Sequence, residues 1–454
     1  MMVTVQHAGS ITSYWQPNHL LPYHPAGCGQ LVQCSWHPTS ALLPPSNPPI
    51  FHLPLVESPV SLSPTPVAST VEPEQPIGYG SFGVVWSVLN PHSGERTAMK
   101  KIPTVFHSLL SCIRTFREIK IMCEIKHENL LSATDMIQPP TMDQFNDIYV
   151  LSQLMESDLH QIIVSPQKLT EDHIKVFIYQ IIRGLQYLHS AGIIHRDMKP
   201  GNLLVNSNCF LKICDFGFAR AIEPNPNTPM TLEVVTQYYR APELLAGCKH
   251  YDTAIDIWSV GCIFAELLGR KILFEATSQS KQLDMITDLL GTPSLDDVKH
   301  ITSRKSIRNL LSRHKPPASQ QLYALSPNGT ISHEAVHLLS QLLIFNPEKR
   351  ISCVDALYHP FLDDGRIRYH TFLCTCCTTG PVGGRQFAQV LEPSAPDLFD
   401  FSYEKDLVSI PKAKALLHRY ICQTHSHLPP LFINTCSKQY KQFQSCAPGV
   451  PQTG

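Results

Sequence analysis

The first 70 residues contain no lysine, arginine or aspartate, and Glu57 is their only formal charge. Without a charged n-region or an arginine-rich stretch, neither a secretory signal nor a transit peptide is expected there. Stretches such as LLPPSNPPI and ESPVSLSPTP follow neither a 3.6 nor a 2 period and cannot hold a helix or a sheet ladder. Residues 1–70 are therefore expected to be a disordered tail rich in Pro, Ser and His. The whole chain also lacks net charge, with 36 Lys+Arg against 37 Asp+Glu. That balance argues against whole-chain attraction to nucleic acid or to an anionic membrane, so neither is expected as a direct partner. No apolar run approaches the ~18 residues needed to span a bilayer. The longest candidate, IDIWSVGCIFAELLG, is interrupted by Asp256 and Glu266 and reads as a buried helix. No internal repeat is present, and the 15 cysteines are scattered with no secretory signal ahead of them. A reduced compartment, nucleus and cytoplasm, is the expected location.

What is present divides the remaining chain in two. At 454 residues it exceeds what one core usually organises, so one large domain with flanking tails, or two to three domains, is expected. From about Val71 to Leu362, short β-rich runs (GVVWSVL, TAMKKI, DIYVLSQL) give way to longer amphipathic stretches such as EDHIKVFIYQIIRGLQYLHSAG. The order predicts an α+β fold: a small sheet lobe joined to a larger helical lobe. Residues 363–454 are of mixed character, with a cysteine cluster at 374–377 and a predicted helix around SIPKAKALLHRYICQ. This C-terminal extension is expected to serve partners or docking.

The chemistry starts at IGYGSFGVV, where Gly78, Gly80, Gly83 and Val85 fit G-x-G-x-x-G-x-V. Glycines allow a hairpin backbone to approach phosphate oxygens, although most Gly-rich loops are merely turns. Seventeen residues after Gly83, TAMK places Lys100 on a third strand, and TFREIKIM offers Glu118 to hold that lysine on the phosphates of a nucleotide. Taken singly these are a surface lysine and a solvated helix charge. HRDMKPGN is harder to explain away: Asp197 can orient a hydroxyl nucleophile, Asn202 can hold a metal, and Lys199 between them can neutralise a phosphoryl group in transit. Asp215 in CDFG is the second candidate metal ligand, and Ala241-Pro242-Glu243 closes the segment. Five ordered motifs at these separations outweigh five coincidences.

These motifs, over residues 72–362, resemble a eukaryotic protein kinase of the group that holds mitogen-activated and cyclin-dependent kinases. Lys199-Pro200 and Thr236 ahead of the APE resemble the serine/threonine branch. VLSQLMESDLHQIIVSP, MITDLLGTPSL and DDGRIRYHTFLCTCC are similar to the Nemo-like kinase family, and the likeness runs to about residue 422. It implies transfer of the ATP γ-phosphate with Mg2+. It also implies an adenine site between Val85, Ala98 and Leu204, a hinge at Met155, and Asp158 near the ribose. Met198 and Phe218 depart from the family's leucines, and Ser152 stands where a gatekeeper Thr is usual, which should widen the back pocket slightly.

Met230-Thr231-Leu232-Glu233 sits where mitogen-activated kinases carry Thr-x-Tyr. The resemblance implies a phosphate on Thr231 clamped by Arg117, Arg196 and Arg220, with Glu233 a permanent carboxylate in place of a second phosphate. Any one of these arginines could be an ordinary surface residue. One phosphorylation should then suffice, supplied by an upstream kinase or by the enzyme itself. Thr236 and Arg240 imply selection of proline after the target Ser/Thr, although Arg240 could equally brace the fold, as the pair Glu243–Arg350 is expected to do. Asp363 and Asp364 resemble docking acids, with a solvated cap as the equal alternative. Cys374, Cys376 and Cys377 invite a zinc reading, but C-x-C-C lacks a partner pair, so an interaction surface is expected instead. The family likeness implies T-cell-factor-type transcription factors as substrates in Wnt-type signalling. A pseudokinase scaffold and a cyclin-dependent kinase are the alternative readings. Intact Lys100, Asp197, Asn202 and Asp215 oppose the first, and the sequence CIRTFREIKIM, which lacks a PSTAIRE-like face, opposes the second. Ser58-Pro59, Ser63-Pro64 and Thr65-Pro66 lie close enough to Gly78, at most ~45 Å of chain from Thr65, to be targets of the chain's own cleft or that of a homodimer partner.

Overall fold

The computed structural model describes residues 77–80, 83–90, 92–139, 141–222, 237–301, 303–316, 319–326, 331–379, 385–386, 392–424 and 429–432, together with two short paired strands, Trp15–Pro17 and Trp36–Pro38. The expectation of a disordered tail therefore falls almost wholly outside the described residues.

One antiparallel sheet of five strands forms the small lobe. Its strands are β1 (Gly78–Gly80), β2 (Gly83–Leu89), β3 (Arg96–Ile102), β4 (Ala133–Met136) and β5 (Ile148–Gln153), in the spatial order β1-β2-β3-β5-β4. The alternation in GVVWSVL sets its two faces. Val84, Trp86 and Val88 join Met99, Leu151 and Leu431 in an outer apolar cluster. The register aligns Val85 with Lys100 and Lys100 with Val150, so the lysine lies on the opposite, inner face at mid-sheet. Gly83 has φ +132°, and a Cβ there would lie 1.7 Å from the Lys101 carbonyl oxygen. Strand-to-strand approach alone thus requires this third glycine.

Helix α1 (Leu109–Glu124) crosses behind the sheet, its first turn capped by Ser108 accepting the Ser111 N–H at 3.2 Å. In the large lobe, α2 (Glu171–Ser190) begins with a reciprocal cap between Thr170 and His173 and packs against α3 (Ala254–Gly269), every residue of which from Ile255 on is buried. Asp256 and Glu266 do not break α3. They are buried within it. Glu243 and Arg350 form the expected two-point ion pair, at 3.0 and 3.2 Å, below the APE turn.

The described part of the C-terminal extension lies on both lobes. On the large lobe, the Ala395 N–H donates to Ser190 Oγ and the Phe399 N–H to the Ala191 carbonyl, each at 2.8 Å. The predicted C-terminal helix is α4 (Ile410–Thr424); it buries Ala413, Leu417 and Ile421, with Tyr420 against Phe116 of α1 at 5.5 Å. Leu431 then accepts the Gln138 N–H at 2.7 Å at the edge of the small-lobe sheet. No helix among the described residues is long and apolar enough to cross a membrane.

Candidate active site

Two elements, β3 and α1, meet through one ion pair. Lys100 reaches from β3 to Glu118 on α1, with Nζ 2.6 Å from Oε1. Burial alone would lower the proton affinity of this ammonium, but Glu118 and then Asp215 outweigh it, and the lysine is held above its ordinary range.

The opposite wall is made by a short ladder of β6 (Leu203–Val205) and β7 (Leu211–Ile213). It brings the end of the HRD loop against the start of the DFG turn: the Cys214 N–H donates to the Asn202 carbonyl at 2.9 Å. Asp197 is buried, with Lys199 Nζ at 2.5 Å from its Oδ2 and the Asn202 amide donating to its carbonyl at 2.8 Å. Burial pushes the Asp197 carboxyl up against the pull of Lys199. Because the Asn202 Nδ2 is spent on Asp197, its Oδ1 is the atom left to meet a ligand. Asp215, at φ +66°, carries a buried Oδ1 with no hydrogen-bond partner. A buried carboxylate oxygen lacking a donor costs free energy unless a cation satisfies it, so the Asn202 and Asp215 oxygens fit a hard divalent metal.

One residue that the motifs do not reveal holds this loop in shape. Asp256 at the start of α3 accepts the His195 N–H at 2.9 Å and the Arg196 N–H at 2.8 Å. Those two bonds secure Arg196 at φ +69°, a left-handed conformation that costs a non-glycine residue about a kilocalorie per mole or more. Arg196 in turn donates to the Phe218 carbonyl at 2.7 Å and to the Tyr251 hydroxyl at 2.6 Å.

The positions that the resemblance assigns to adenine lie on both lobes. Ala98 and Ser152 are buried and aligned across β3 and β5, Val85 and Leu204 are half-buried, and Met155 follows β5 in the link to the large lobe. Asp158 is committed locally: its carboxylate caps Leu159–Val164 by accepting the Gln161 N–H at 3.0 Å. Gly78 and Gly80 lie on β1, across from Val85 and Gly83.

The three arginines expected to clamp a phosphate bear on one another electrostatically. Burial lowers the proton affinity of Arg196, and the charges of Arg220 and Arg117 lower it further. Arg117 is not awaiting a partner: Nε and Nη2 meet Glu404 of the extension at 2.7 and 3.0 Å, and Nη1 donates to the Gly217 carbonyl at 3.3 Å. Thr231, Glu233 and Thr236 lie outside the described residues. Arg240, Tyr239 and Leu244 line one depression with Asp197. The docking candidates are both engaged at the surface, Asp363 with Arg366 and Asp364 with Lys175, each at 2.7 Å.

With this geometry in hand, the relatives are informative. Residues 71–362 match the protein kinase domain family. The serine/threonine-protein kinase NLK2 of Xenopus laevis is 58% identical over 373 residues, covering 82% of this chain and 83% of that protein. The serine/threonine kinase NLK of Caenorhabditis elegans is 50% identical over 408 residues, 88% of this chain and 64% of that one. Mitogen-activated protein kinase 7 of Arabidopsis thaliana is 47% identical over 290 residues, 64% of this chain and 78% of its own. The chain belongs to the protein kinase family and, within it, to the NLK, or Nemo-like, serine/threonine kinases. It is a kinase of the mitogen-activated type that acts on proteins with ATP and a divalent metal.

Proposed function

We propose that this kinase is proline-directed and that it phosphorylates Ser/Thr-Pro sites in transcription factors of the T-cell-factor type within Wnt-type signalling. What supports the specificity is a depression lined by Asp197, Tyr239, Arg240 and Leu244; in this reading it receives the acceptor residue, with Arg240 beside it. A substrate residue that brings an N–H there without a carbonyl to receive it leaves a buried donor unpaired, at a cost of about 1–3 kcal/mol, whereas proline has no N–H to lose.

In this reading Asp197 orients the substrate hydroxyl and accepts its proton, while Lys199 offsets charge on the phosphoryl oxygens. Lys100, fixed by Glu118, anchors the α- and β-phosphates. Asn202 and Asp215 would hold Mg2+, which when bound neutralises phosphate charge. A phosphate on Thr231, added by an upstream kinase or by the enzyme itself, is the activating modification, and Glu233 removes the need for a second. Asp363 and Asp364 serve as a docking patch for basic motifs. The enzyme works in nucleus and cytoplasm, and it modifies its own Ser58, Ser63 and Thr65, within one chain or across a homodimer.

The test compares Ser-Pro with Ser-Ala peptides, without any cyclin. The expected outcome is a kcat/KM ratio of roughly tenfold to a hundredfold in favour of proline, falling toward unity in Arg240→Ala. Equal use of both peptides by the parent enzyme would refute proline direction, and failure to modify a T-cell-factor-type protein in a reconstituted assay would remove that substrate class.

A further inference from the structure

The CTCC cluster has a fourth neighbour that the cysteine spacing conceals. His370 sits four residues before Cys374 on a wide helical turn, Tyr369–Leu373, whose i→i+5 bonding ends with the Cys374 N–H on the Tyr369 carbonyl at 3.0 Å. Such turns displace a side chain from ordinary helical phase and recur at functional sites. Here the displacement aims the imidazole at the sulfurs. His370 Nδ1 lies 3.5 Å from Cys376 Sγ and 3.4 Å from Cys377 Sγ, and those two sulfurs are 4.0 Å apart. With Cys374 Sγ included, all four ligand atoms lie within 4.8 Å of one another. Zinc–sulfur and zinc–nitrogen bonds of about 2.3 and 2.0–2.1 Å in a tetrahedron give edges of about 3.8 Å between sulfurs and about 3.6 Å from nitrogen to sulfur. The spacings among His370 Nδ1, Cys376 Sγ and Cys377 Sγ are close to a tetrahedron's edges, and Cys374 Sγ, no more than 4.8 Å from each of them, needs to move in by about 1 Å at most.

The surroundings match a bound cation as well. The other imidazole nitrogen, Nε2, faces the Tyr179 hydroxyl at 2.8 Å, and that hydroxyl donates to Glu392. The phenol oxygen therefore receives the Nε2–H, the tautomer that turns the Nδ1 lone pair toward the sulfurs, backed by a carboxylate as metal-bound histidines generally are. Three thiolates around a divalent ion leave one excess negative charge. The buried guanidinium of Arg183, whose Nη2 lies 3.9 Å from Cys376 Sγ, stands beside it and is shared with Glu128 and Glu392, each at 3.0 Å. His370, Cys374 and Cys377 are buried, and four protein ligands leave no open position. A closed site of soft thiolates with one imidazole suits structural zinc.

We propose that His370, Cys374, Cys376 and Cys377 bind one zinc ion in a closed tetrahedral site. The ion fixes the start of the C-terminal extension on the large lobe. Within the nine-residue segment Tyr369–Cys377, Tyr369 donates to Glu128 at 3.0 Å and Thr375 donates to the same carboxylate. Glu128 follows α1, so the site ties the extension to the loop behind the helix that carries Glu118.

Metal content of the full chain, purified without chelators, decides the matter together with its cobalt spectrum. The expected result is about one zinc per chain and, after exchange with cobalt, the intense visible bands and sulfur-to-cobalt charge transfer of a tetrahedral thiolate site. The pair Cys374→Ser and Cys377→Ser should lose both signals, whereas Cys422→Ser, outside the cluster, should keep them. A parent protein that holds no zinc, or whose cobalt form shows no thiolate bands, overturns the proposal without any variant. Unchanged zinc and unchanged bands in the double variant, through sulfurs elsewhere in the chain, overturn it too.

Discussion

Arg117 and Glu404 meet through two parallel contacts, 2.7 and 3.0 Å, across 287 residues of chain. Arg117 is 4% exposed and stands immediately before the Glu118 that holds Lys100, so a carboxylate of the extension sits on the helix that carries this ion pair. Removing it leaves a buried guanidinium with the Gly217 carbonyl as its remaining acceptor among the described residues. Glu404→Ala should lower unfolding stability by about 1–3 kcal/mol, since its partner is buried while Glu404 itself is partly exposed to water. A urea midpoint shift at unchanged slope measures this, and peptide turnover should fall with it. An unmoved midpoint would show that the pair does not couple the extension to α1.

Lys100→Met should leave a folded protein whose phosphoryl transfer is reduced by at least about a hundredfold, because the cation aimed at developing phosphate charge is lost and the sheet core is not touched. Radiolabel transfer to a Ser-Pro peptide, beside a matched thermal melt, separates lost chemistry from lost folding. Full turnover in the variant would contradict the role given to the Lys100–Glu118 pair.

The activation segment supplies a graded comparison. Thr231→Val should reduce activity at least about tenfold, while Glu233→Gln should cost less, since one removes a phosphate of nearly two charges and the other a single carboxylate. Parallel kinetics on phosphorylated preparations give the ranking. A Thr231→Val enzyme as active as the parent would dissolve the arginine-clamp argument.

Glu266 offers a pH-dependent readout inside α3. Burial pushes its carboxyl up to about 7, against the pull of the Tyr239 hydroxyl at 2.7 Å. A carboxyl whose folded pKa exceeds its unfolded value near 4.5 contributes stability that is fully present below the unfolded value and is lost as pH rises to about 7. The stability of Glu266→Gln relative to the parent should therefore rise by roughly 2–3 kcal/mol between pH 4 and pH 8. Denaturant titrations of both proteins across that range test it; a constant difference would mean that Glu266 titrates normally.

Why some of the site could be read from sequence and some could not follows from where each contact falls. Gly83, Lys100, Asp197, Asn202 and Asp215 lie in short motifs that spacing alone reveals, and Gly83 is also required by the strand contact with Lys101. Asp256 and Glu404 act on partners 60 to 287 residues away through hydrogen bonds that leave no local pattern. Asp256 even counted only as an interruption of an apolar run. His370 is a different case. It lies four residues from Cys374, but its relation to the sulfurs depends on a wide turn that an ideal helical projection would not place.

The extension touches the large lobe at Ser190 and Ala191 and the small lobe at Phe116 and Gln138, so it spans the connection through Met155 as a strap spans a hinge. Rotation of one lobe against the other must then either bend this strap or peel part of it away. An opening of the cleft between the lobes would therefore work against packing made by a segment whose described residues lie outside the Lys100–Asp197–Asp215 site.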